Sequence, residues 1–124
     1  MGDSAVQLHG GMLRLAKSIG ARVVNSRDEL LGRIEDVLVD LHDGHVAAFI
    51  LSFREFAGWS DKLVAVPLAA LTFDPKSMQF QMKVDRETLH NAPSFRSDDW
   101  PELIDRVWTA DVYSYYGYPP YWHE

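Results

Sequence analysis

The chain has 124 residues, 47% of them hydrophobic, which suffices for one globular domain with a core and is too short for two. It contains no cysteine, which excludes a disulfide framework, a thiolate metal site and a cysteine nucleophile. The formal net charge is −6 without any Lys/Arg-rich run, and no apolar run is long enough for a membrane helix. We therefore expect a cytoplasmic protein with no nucleic-acid partner and no direct membrane insertion.

The dominant β pattern covers residues 30–53 and predicts two long strands joined by a tight turn. The dipeptide Asp43-Gly44 readily adopts the positive φ angles of a two-residue hairpin loop. Such a loop pairs His42 with His45, and this first pair fixes the register of all the other residue pairs in the two strands.

Both faces of this predicted hairpin are apolar. One face, which we assign to the core, contains Val37, Val39, Leu41, Val46, Ala48 and Ile50. The outer face contains Leu38, Phe49 and Leu51, together with Asp36 and Asp40. An outer face with so many apolar residues needs a cover, so its three apolar residues are interface candidates. The two aspartates are either partnered interfacial groups or carboxylates that reach water at the rim. The apolar residues lose phase near residues 35–36, which predicts a β-bulge or bend.

Other strand patterns occur at residues 19–25, 62–68 and 78–84. Asp85 is placed to cap a short helix that ends before Pro93. Residues 1–18 have only scattered apolar positions, which predicts an N-terminal tail. The predicted organisation is a tail at 1–18, a strand domain at 19–95 and a C-terminal extension at 96–124.

The C-terminal extension predicts one helix followed by an aromatic tail. Asp99 and Glu102 have the spacing of a capping box, and apolar residues recur at helical spacing from Leu103 to Trp108. Tyrosine and tryptophan combine a large apolar area with a polar tip, which suits an interface. The aromatic interface candidates are Trp108, Tyr113, Tyr115, Tyr116, Tyr118, Tyr121 and Trp122. They either fold back on the outer face of the same chain or cross to a second subunit.

Five segments in this order resemble the PRC-barrel family: GARVVN (20–25), LGRIEDVLVD (31–40), GHV (44–46), VAVPL (64–68) and LHNAPSF (89–95). The family takes its name from the cytoplasmic domain of the photosynthetic reaction-centre H subunit, and a similar barrel forms the C-terminal domain of a ribosome maturation factor. The resemblance implies an all-β fold, a small and strongly curved barrel of about six strands, here with a short helical extension and an aromatic tail. We expect neither a membrane helix like that of the H subunit nor a preceding RNA-binding-type domain like that of the maturation factor, and the chain is most similar to stand-alone bacterial members.

The patterns for a catalytic or metal site are sparse. His42 and His45 flank the predicted turn and could share a divalent metal, but no third protein ligand is identifiable, and the alternative is a polar, exposed turn. The serines lack the context of a nucleophile elbow, and no glycine-rich phosphate loop occurs. We therefore expect no enzyme activity, no catalytic residues and no cofactor.

Three functions remain open. The favoured one is a non-enzymatic protein-interaction or adaptor module, homodimeric and with an unknown protein partner, because apolar and aromatic surface candidates are abundant. The resemblance implies the alternative of an accessory protein of a membrane electron-transfer complex. The third is a metal-binding protein with His42 and His45 as ligands.

Overall fold

The computed structural model describes residues 12–53 and 62–122, which form one sheet and several short helices. The strands are β1 (Arg22–Val24), β2 (Leu30–Asp40), β3 (His45–Phe53), β4 (Lys62–Val66), β5 (Leu71–Asp74), β6 (Gln79–Met82) and β7 (Ser94–Arg96). Their order across the sheet is β5-β6-β1-β2-β3-β4-β7, and every pair is antiparallel except β1 with β6.

This architecture confirms the mostly-β fold and corrects the predicted barrel. The sheet has seven strands rather than about six, and in the described residues its two outermost strands do not pair, so it is not closed. The strands that the sequence pattern missed are β5 and β7, which have four and three residues. A strand of this length is too short to show a clear alternation of apolar and polar residues.

The helices are α1 (Leu15–Ser18), a 3₁₀ helix (Leu68–Ala70), α2 (Arg86–His90) and α3 (Arg106–Tyr116). The short helix predicted after Asp85 is confirmed as α2, because the Asp85 carboxylate accepts a hydrogen bond from the N–H of Thr88 at 2.9 Å. α1 lies in the predicted N-terminal tail, of which residues 1–11 fall outside the described residues. In the two described ranges, no helix has both the length and the apolar character needed to cross a membrane.

α3 begins later than predicted. Its N-cap is Asp105, whose carboxylate accepts a hydrogen bond from the N–H of Trp108 at 3.0 Å. The capping box predicted at Asp99 and Glu102 is therefore wrong. The helix ends at Gly117, whose φ of +83° is the left-handed conformation that glycine adopts at low cost.

Packing against the sheet selects this start. The buried residues of α3 are Thr109, Val112 and Tyr113, which lie three or four positions apart and therefore share one face of the helix. Leu103 and Ile104, which the earlier start would include, are 69% and 40% exposed. The helix is thus placed by what its buried face contacts rather than by the first available cap.

β2 and β3 form the predicted hairpin, but the turn is longer than expected. Asp40 pairs with His45, so the loop covers residues 41–44 and the predicted pairing of His42 with His45 is wrong. The N–H of Gly44 donates to the carbonyl oxygen of Asp40 at 2.8 Å, and the φ of Gly44 is +72°.

Two bulges set the register of the hairpin, one in each strand. The first lies near residues 35–36 of β2, as predicted, and the second, which was not predicted, lies at Ala47 of β3, between the pairs Leu38–Ala48 and Val39–Val46. Together with the longer turn, the second bulge places Val37 rather than Leu38 opposite Phe49. A shift of one residue turns side chains to the other face of a sheet, so the predicted face assignment fails for residues 48–51 of β3. Val37 and Val46 pack against the core on the face predicted for them.

The two faces of the sheet bury separate groups of residues. The inner core consists of Val23, Leu31, Ile34, Phe49, Leu51, Phe53, Val64, Val66, Phe80, Met82, Leu89 and Ala92. The outer cluster consists of buried Ala48, Ile50, Leu63, Ala65, Val112 and Tyr113, with half-buried Leu38, Phe95, Trp100, Trp108, Tyr116, Tyr118 and Tyr121 packed against them.

The hairpin residues can now be placed correctly. Phe49 and Leu51, predicted on the outer face, belong to the inner core and are 2% and 0% exposed. Ile50, predicted in the core, lies in the outer cluster. Val39 and Leu41, also predicted core residues, are 47% and 93% exposed. Of the three apolar candidates for the outer face, only Leu38 lies there.

Candidate functional site

The outer face of the hairpin is covered by the C-terminal part of the same chain. α3 contributes Val112 and Tyr113 to the outer cluster, and Tyr118 and Tyr121 pack against it. The buried hydroxyl of Tyr113 donates to the carbonyl oxygen of Ala47 in β3 at 2.8 Å. This hydrogen bond attaches α3 to β3. It also gives the Tyr113 hydroxyl, which is buried away from water, a hydrogen-bond partner.

An ion pair joins the start of α3 to the hairpin turn. The guanidinium of Arg106 lies 2.5 Å from the carboxylate of Asp43 and 3.5 Å from that of Asp40. Asp40 also accepts a hydrogen bond from the hydroxyl of Tyr121 at 2.5 Å. A single carboxylate at the end of β2 therefore contacts both the first turn of α3 and the end of the aromatic tail.

Aromatic contacts surround this ion pair. The ring of Tyr121 stacks on His45 with the ring centroids 5.2 Å apart, and its edge contacts Trp122 at 4.8 Å. The guanidinium of Arg106 lies 4.7 Å from the centroid of the Trp122 ring, in cation–π geometry. We call the set Asp40, His45, Arg106, Tyr121 and Trp122 the C-terminal clasp.

The protonation states of the C-terminal clasp are set by its contacts. The hydrogen bond from Tyr121 lowers the pKa of the Asp40 carboxyl below its ordinary value of 3.8, and the N–H groups of His42 and Asp43 and the charge of Arg106 act in the same direction. Burial raises the pKa of the Tyr121 phenol, and its bond to the Asp40 carboxylate raises it further. At neutral pH the pair is therefore a carboxylate acceptor and a neutral phenol donor.

A cavity of about 680 Å³ opens beside the C-terminal clasp. It is bounded by residues 38–42 at the end of β2, residues 104–106 and 109 at the start of α3, Ala47 and Tyr121, and we call it the turn groove. Its lining is mostly apolar at the strand, with the charged groups of the clasp at one side. Exposed Leu41 lies in this lining. An exposed apolar side chain beside a cavity is typical of a surface that binds another molecule.

The metal hypothesis gains no third ligand from the structure. His45 stacks on Tyr121, and the side chain of His42 is 81% exposed with its Nε2 atom 3.9 Å from the carboxylate of Asp43. Among residues 12–53 and 62–122, no group of three or more His, Asp or Glu side chains is arranged to hold an ion. The histidine pair thus stays a prediction without geometric support.

The predicted aromatic candidates separate into two groups. Trp108, Tyr113, Tyr116, Tyr118 and Tyr121 pack into the outer cluster. Tyr115 and Trp122 lie outside that cluster: Trp122 belongs to the C-terminal clasp, and the hydroxyl of Tyr115 donates to the carbonyl oxygen of Thr88 at 2.6 Å.

The two acidic candidates also differ. Asp40 is the centre of the C-terminal clasp, whereas Asp36 is exposed and its carboxylate accepts a hydrogen bond from the N–H of Val37. The first therefore matches the partnered interfacial group, and the second matches the carboxylate that reaches water.

The residues that the sequence analysis missed are Arg106 and Asp43. A usable signal was present, since Arg106 is the only Lys or Arg in residues 97–124. A lone cation in an acidic, aromatic segment should contact a carboxylate and an aromatic face, as it does here.

Comparison with known proteins gives a family and a likeness to solved structures. The model of the PRC-barrel domain family matches residues 10–89. No curated protein matches the sequence. Among solved structures, a protein from Pseudomonas aeruginosa described as a 16S ribosomal RNA processing protein, RimM, is similar over 60% of this chain and 45% of that one, with 18% sequence identity and a TM-score of 0.42. The chain therefore spans less than half of that protein.

Proposed function

The chain belongs to the PRC-barrel domain family, and from this premise we propose that it is a non-enzymatic protein-binding or adaptor module. The observation that supports the proposal is the exposed apolar surface at the turn groove. Leu41 and Ile104 line the groove at 93% and 40% exposure, and Leu103 and Val107 next to it in the chain are 69% and 71% exposed. Large apolar side chains gathered at one place on a surface mark protein interaction sites. The cytoplasmic location expected from the sequence belongs to the same proposal.

A capture experiment tests this function. The protein, immobilised through a C-terminal tag, is incubated with native lysate, and retained proteins are identified by mass spectrometry. We expect at least one protein to be retained by the wild type and lost with Leu41→Asp, because the substitution places a charge in the apolar surface without burying it. The matched control is Met78→Asp, which changes an exposed apolar residue on the turn between β5 and β6.

The result also separates the alternatives. Equal capture by the wild type and Leu41→Asp would contradict binding through the turn groove. Recovery of respiratory or photosynthetic subunits would favour the accessory role in an electron-transfer complex over a general adaptor role.

The homodimer stays a separate prediction. Its original reason was the uncovered outer face, and α3 with the aromatic tail covers that face within one chain. Light scattering at micromolar protein concentration tests whether the protein forms a homodimer. A dimer mass that falls to a monomer mass with Leu41→Asp would place self-association at the turn groove, and a monomer mass for the wild type would end the prediction.

A further inference from the structure

The second half of β2 has an open edge. β1 pairs with β2 only as far as Arg33. Two more backbone hydrogen bonds follow, from the N–H of Ile34 to the carbonyl oxygen of Ala21 at 2.9 Å and from the N–H of Gly20 to the carbonyl oxygen of Ile34 at 2.7 Å. Beyond that point, β3 is the only strand among the described residues that pairs with β2. Within residues 12–53 and 62–122, residues 35–40 thus present one side of their backbone without a neighbouring strand. Such an edge is a template on which another strand can pair.

The backbone and side chains along this edge support that reading. The N–H of Val37 donates to Oδ1 of Asp36 at 2.8 Å, so a carboxylate of the adjacent residue serves as its acceptor. Glu35 and Asp36 are exposed, and Val39 is 47% exposed. An incoming strand would find a backbone edge without a neighbouring strand in the described residues, on which it would have to replace the Asp36 carboxylate as the acceptor of the Val37 N–H.

The turn groove continues this edge. Val39, Asp40 and Leu41 belong to the end of β2 or its turn and also line the groove, so a strand beside β2 would direct side chains toward it. Addition of a strand to an edge obtains affinity from backbone hydrogen bonds and specificity from pockets for side chains. The open edge of β2 supplies the first and the turn groove supplies the second, and the two lie next to each other.

We propose that residues 35–40 of β2 and the turn groove bind an extended segment of a partner protein that carries both apolar and Lys/Arg side chains. The segment adds to the sheet as a strand next to β2. This inference rests on the proposed protein-binding function and names the chemistry of its partner. Charge complementarity gives the basic character, since Glu35 and Asp36 are exposed on the edge and the chain has a net charge of −6. The apolar lining of the groove gives the apolar character.

A second copy of this chain fits the edge less well. The antiparallel register that uses the whole segment 35–40 places Glu35 of one copy opposite Asp40 of the other. A register centred on Leu38 places Asp36 opposite Asp40. Like charges directly opposite one another destabilise a strand pair, and both copies carry the same net negative charge.

Nuclear magnetic resonance with defined peptides tests the proposal on the full chain. The probe is an acetylated peptide of about eight residues in which lysine and valine alternate. One control replaces each lysine with glutamate, and the other keeps every side chain but methylates alternate backbone nitrogens. We expect the lysine–valine peptide to shift the amide signals of residues 35–41 and to slow their hydrogen exchange. The N-methylated peptide should lose this effect, because it keeps the charge and removes strand hydrogen bonds.

A charge reversal on the protein sharpens the test. Glu35→Lys should weaken binding of the lysine–valine peptide about two- to fivefold at low salt, as expected for one exposed charge. The matched control is Glu87→Lys on α2, which should leave the affinity unchanged. Equal binding of the N-methylated peptide, or amide shifts centred away from residues 35–41, would overturn strand addition.

Other occupants of the edge give distinct results in the free protein. Protection of amides 35–40 that grows with protein concentration would show that a second copy binds there. Protection that is independent of concentration in a monomer would show that this chain itself covers the edge. Either result overturns the proposal. If the peptide fails but Leu41→Asp still abolishes capture from lysate, the proposed protein-binding function stands and only strand addition is lost.

Discussion

The inner core and the outer cluster bury similar side chains in different ways. The inner core is aliphatic and phenylalanine-rich and is built from β1 to β4 and β6, together with Leu89 of α2 and Ala92. The outer cluster uses tyrosine and tryptophan from α3 and the tail to cover Ala48 and Ile50 of β3. Its cover carries polar tips that bond to the hairpin, such as the hydroxyl of Tyr113. The inner core therefore defines the fold, and the outer cluster attaches a separate segment to it through specific polar contacts.

Phe49→Ala gives the largest expected effect and tests whether the inner core defines the fold. Phe49 is 2% exposed and contacts Phe80 across the core. Its truncation should lower the free energy of unfolding by about 3–5 kcal/mol, the usual cost of removing a buried phenylalanine ring. Urea denaturation measures the change. Leu41→Ala, at a 93% exposed position, should change stability by less than about 0.5 kcal/mol. A small effect of Phe49→Ala would contradict its assignment to the inner core.

Removal of residues 119–124 tests whether the outer cluster is separable from the fold. The shortened chain loses Tyr121 and Trp122, and with them the contacts to Asp40 and Arg106. We expect it to keep its β-rich circular dichroism spectrum and to lose about 1–3 kcal/mol of stability, the typical contribution of a partly buried aromatic side chain. A chain lacking only residues 123–124 is the control. Global unfolding of the shortened chain would show that the tail is part of the fold itself.

The extents of the main hairpin could be predicted from the sequence, and its register could not. Residues 30–53 have the composition and the turn signals of two strands, and the structure confirms the start of β2 and both ends of β3, while β2 ends at Asp40, two residues before the predicted loop. Within β2, however, Val37, Leu38 and Val39 are consecutive and apolar. A strand with apolar residues on both faces does not specify which face is buried, so the turn length and the bulge at Ala47 of β3 decided the register.

The candidate site was predictable in its composition rather than in its arrangement. The aromatic tail and Asp40 could be identified because their residue types suit an interface. The C-terminal clasp depends on where α3 begins, and both Asp99 and Asp105 precede apolar residues at helical spacing. Contacts with the sheet select Asp105, and contacts between distant segments are not encoded in a local pattern. Arg106 reaches Asp40 only from the observed start.

Tyr113→Phe sharpens the role of polar tips in the outer cluster. The substitution keeps the ring and removes the hydroxyl that donates to the carbonyl oxygen of Ala47 at 2.8 Å. We expect a loss of about 1–2 kcal/mol in the free energy of unfolding, because a buried acceptor is left without its donor. Tyr115→Phe is the matched control, since Tyr115 lies at the exposed surface and donates to Thr88. If both variants lose the same free energy of unfolding, the buried hydrogen bond of Tyr113 contributes no more to stability than the exposed one of Tyr115.

Asp40→Asn gives the smallest effect and probes the C-terminal clasp through pH. The pKa of Asp40 is lowered in the folded protein from its ordinary value of 3.8, first by the hydrogen bond from Tyr121. A carboxyl group with a lowered pKa stabilises the folded state above its ordinary pKa, and this contribution disappears as the pH falls through the folded value. The melting temperature of the wild type should therefore exceed that of Asp40→Asn at pH 7, and the gap should close as the pH falls below 3.8. Thermal unfolding at stepped pH measures both chains, with Asp111→Asn on the exposed side of α3 as the control for a lost surface charge. A gap that stays constant down to the lowest pH would show that the carboxylate charge of Asp40 does not hold the clasp. The tail would then depend on ring packing alone, and the outer cluster would resemble the inner core more closely than the contacts of Asp40 indicate.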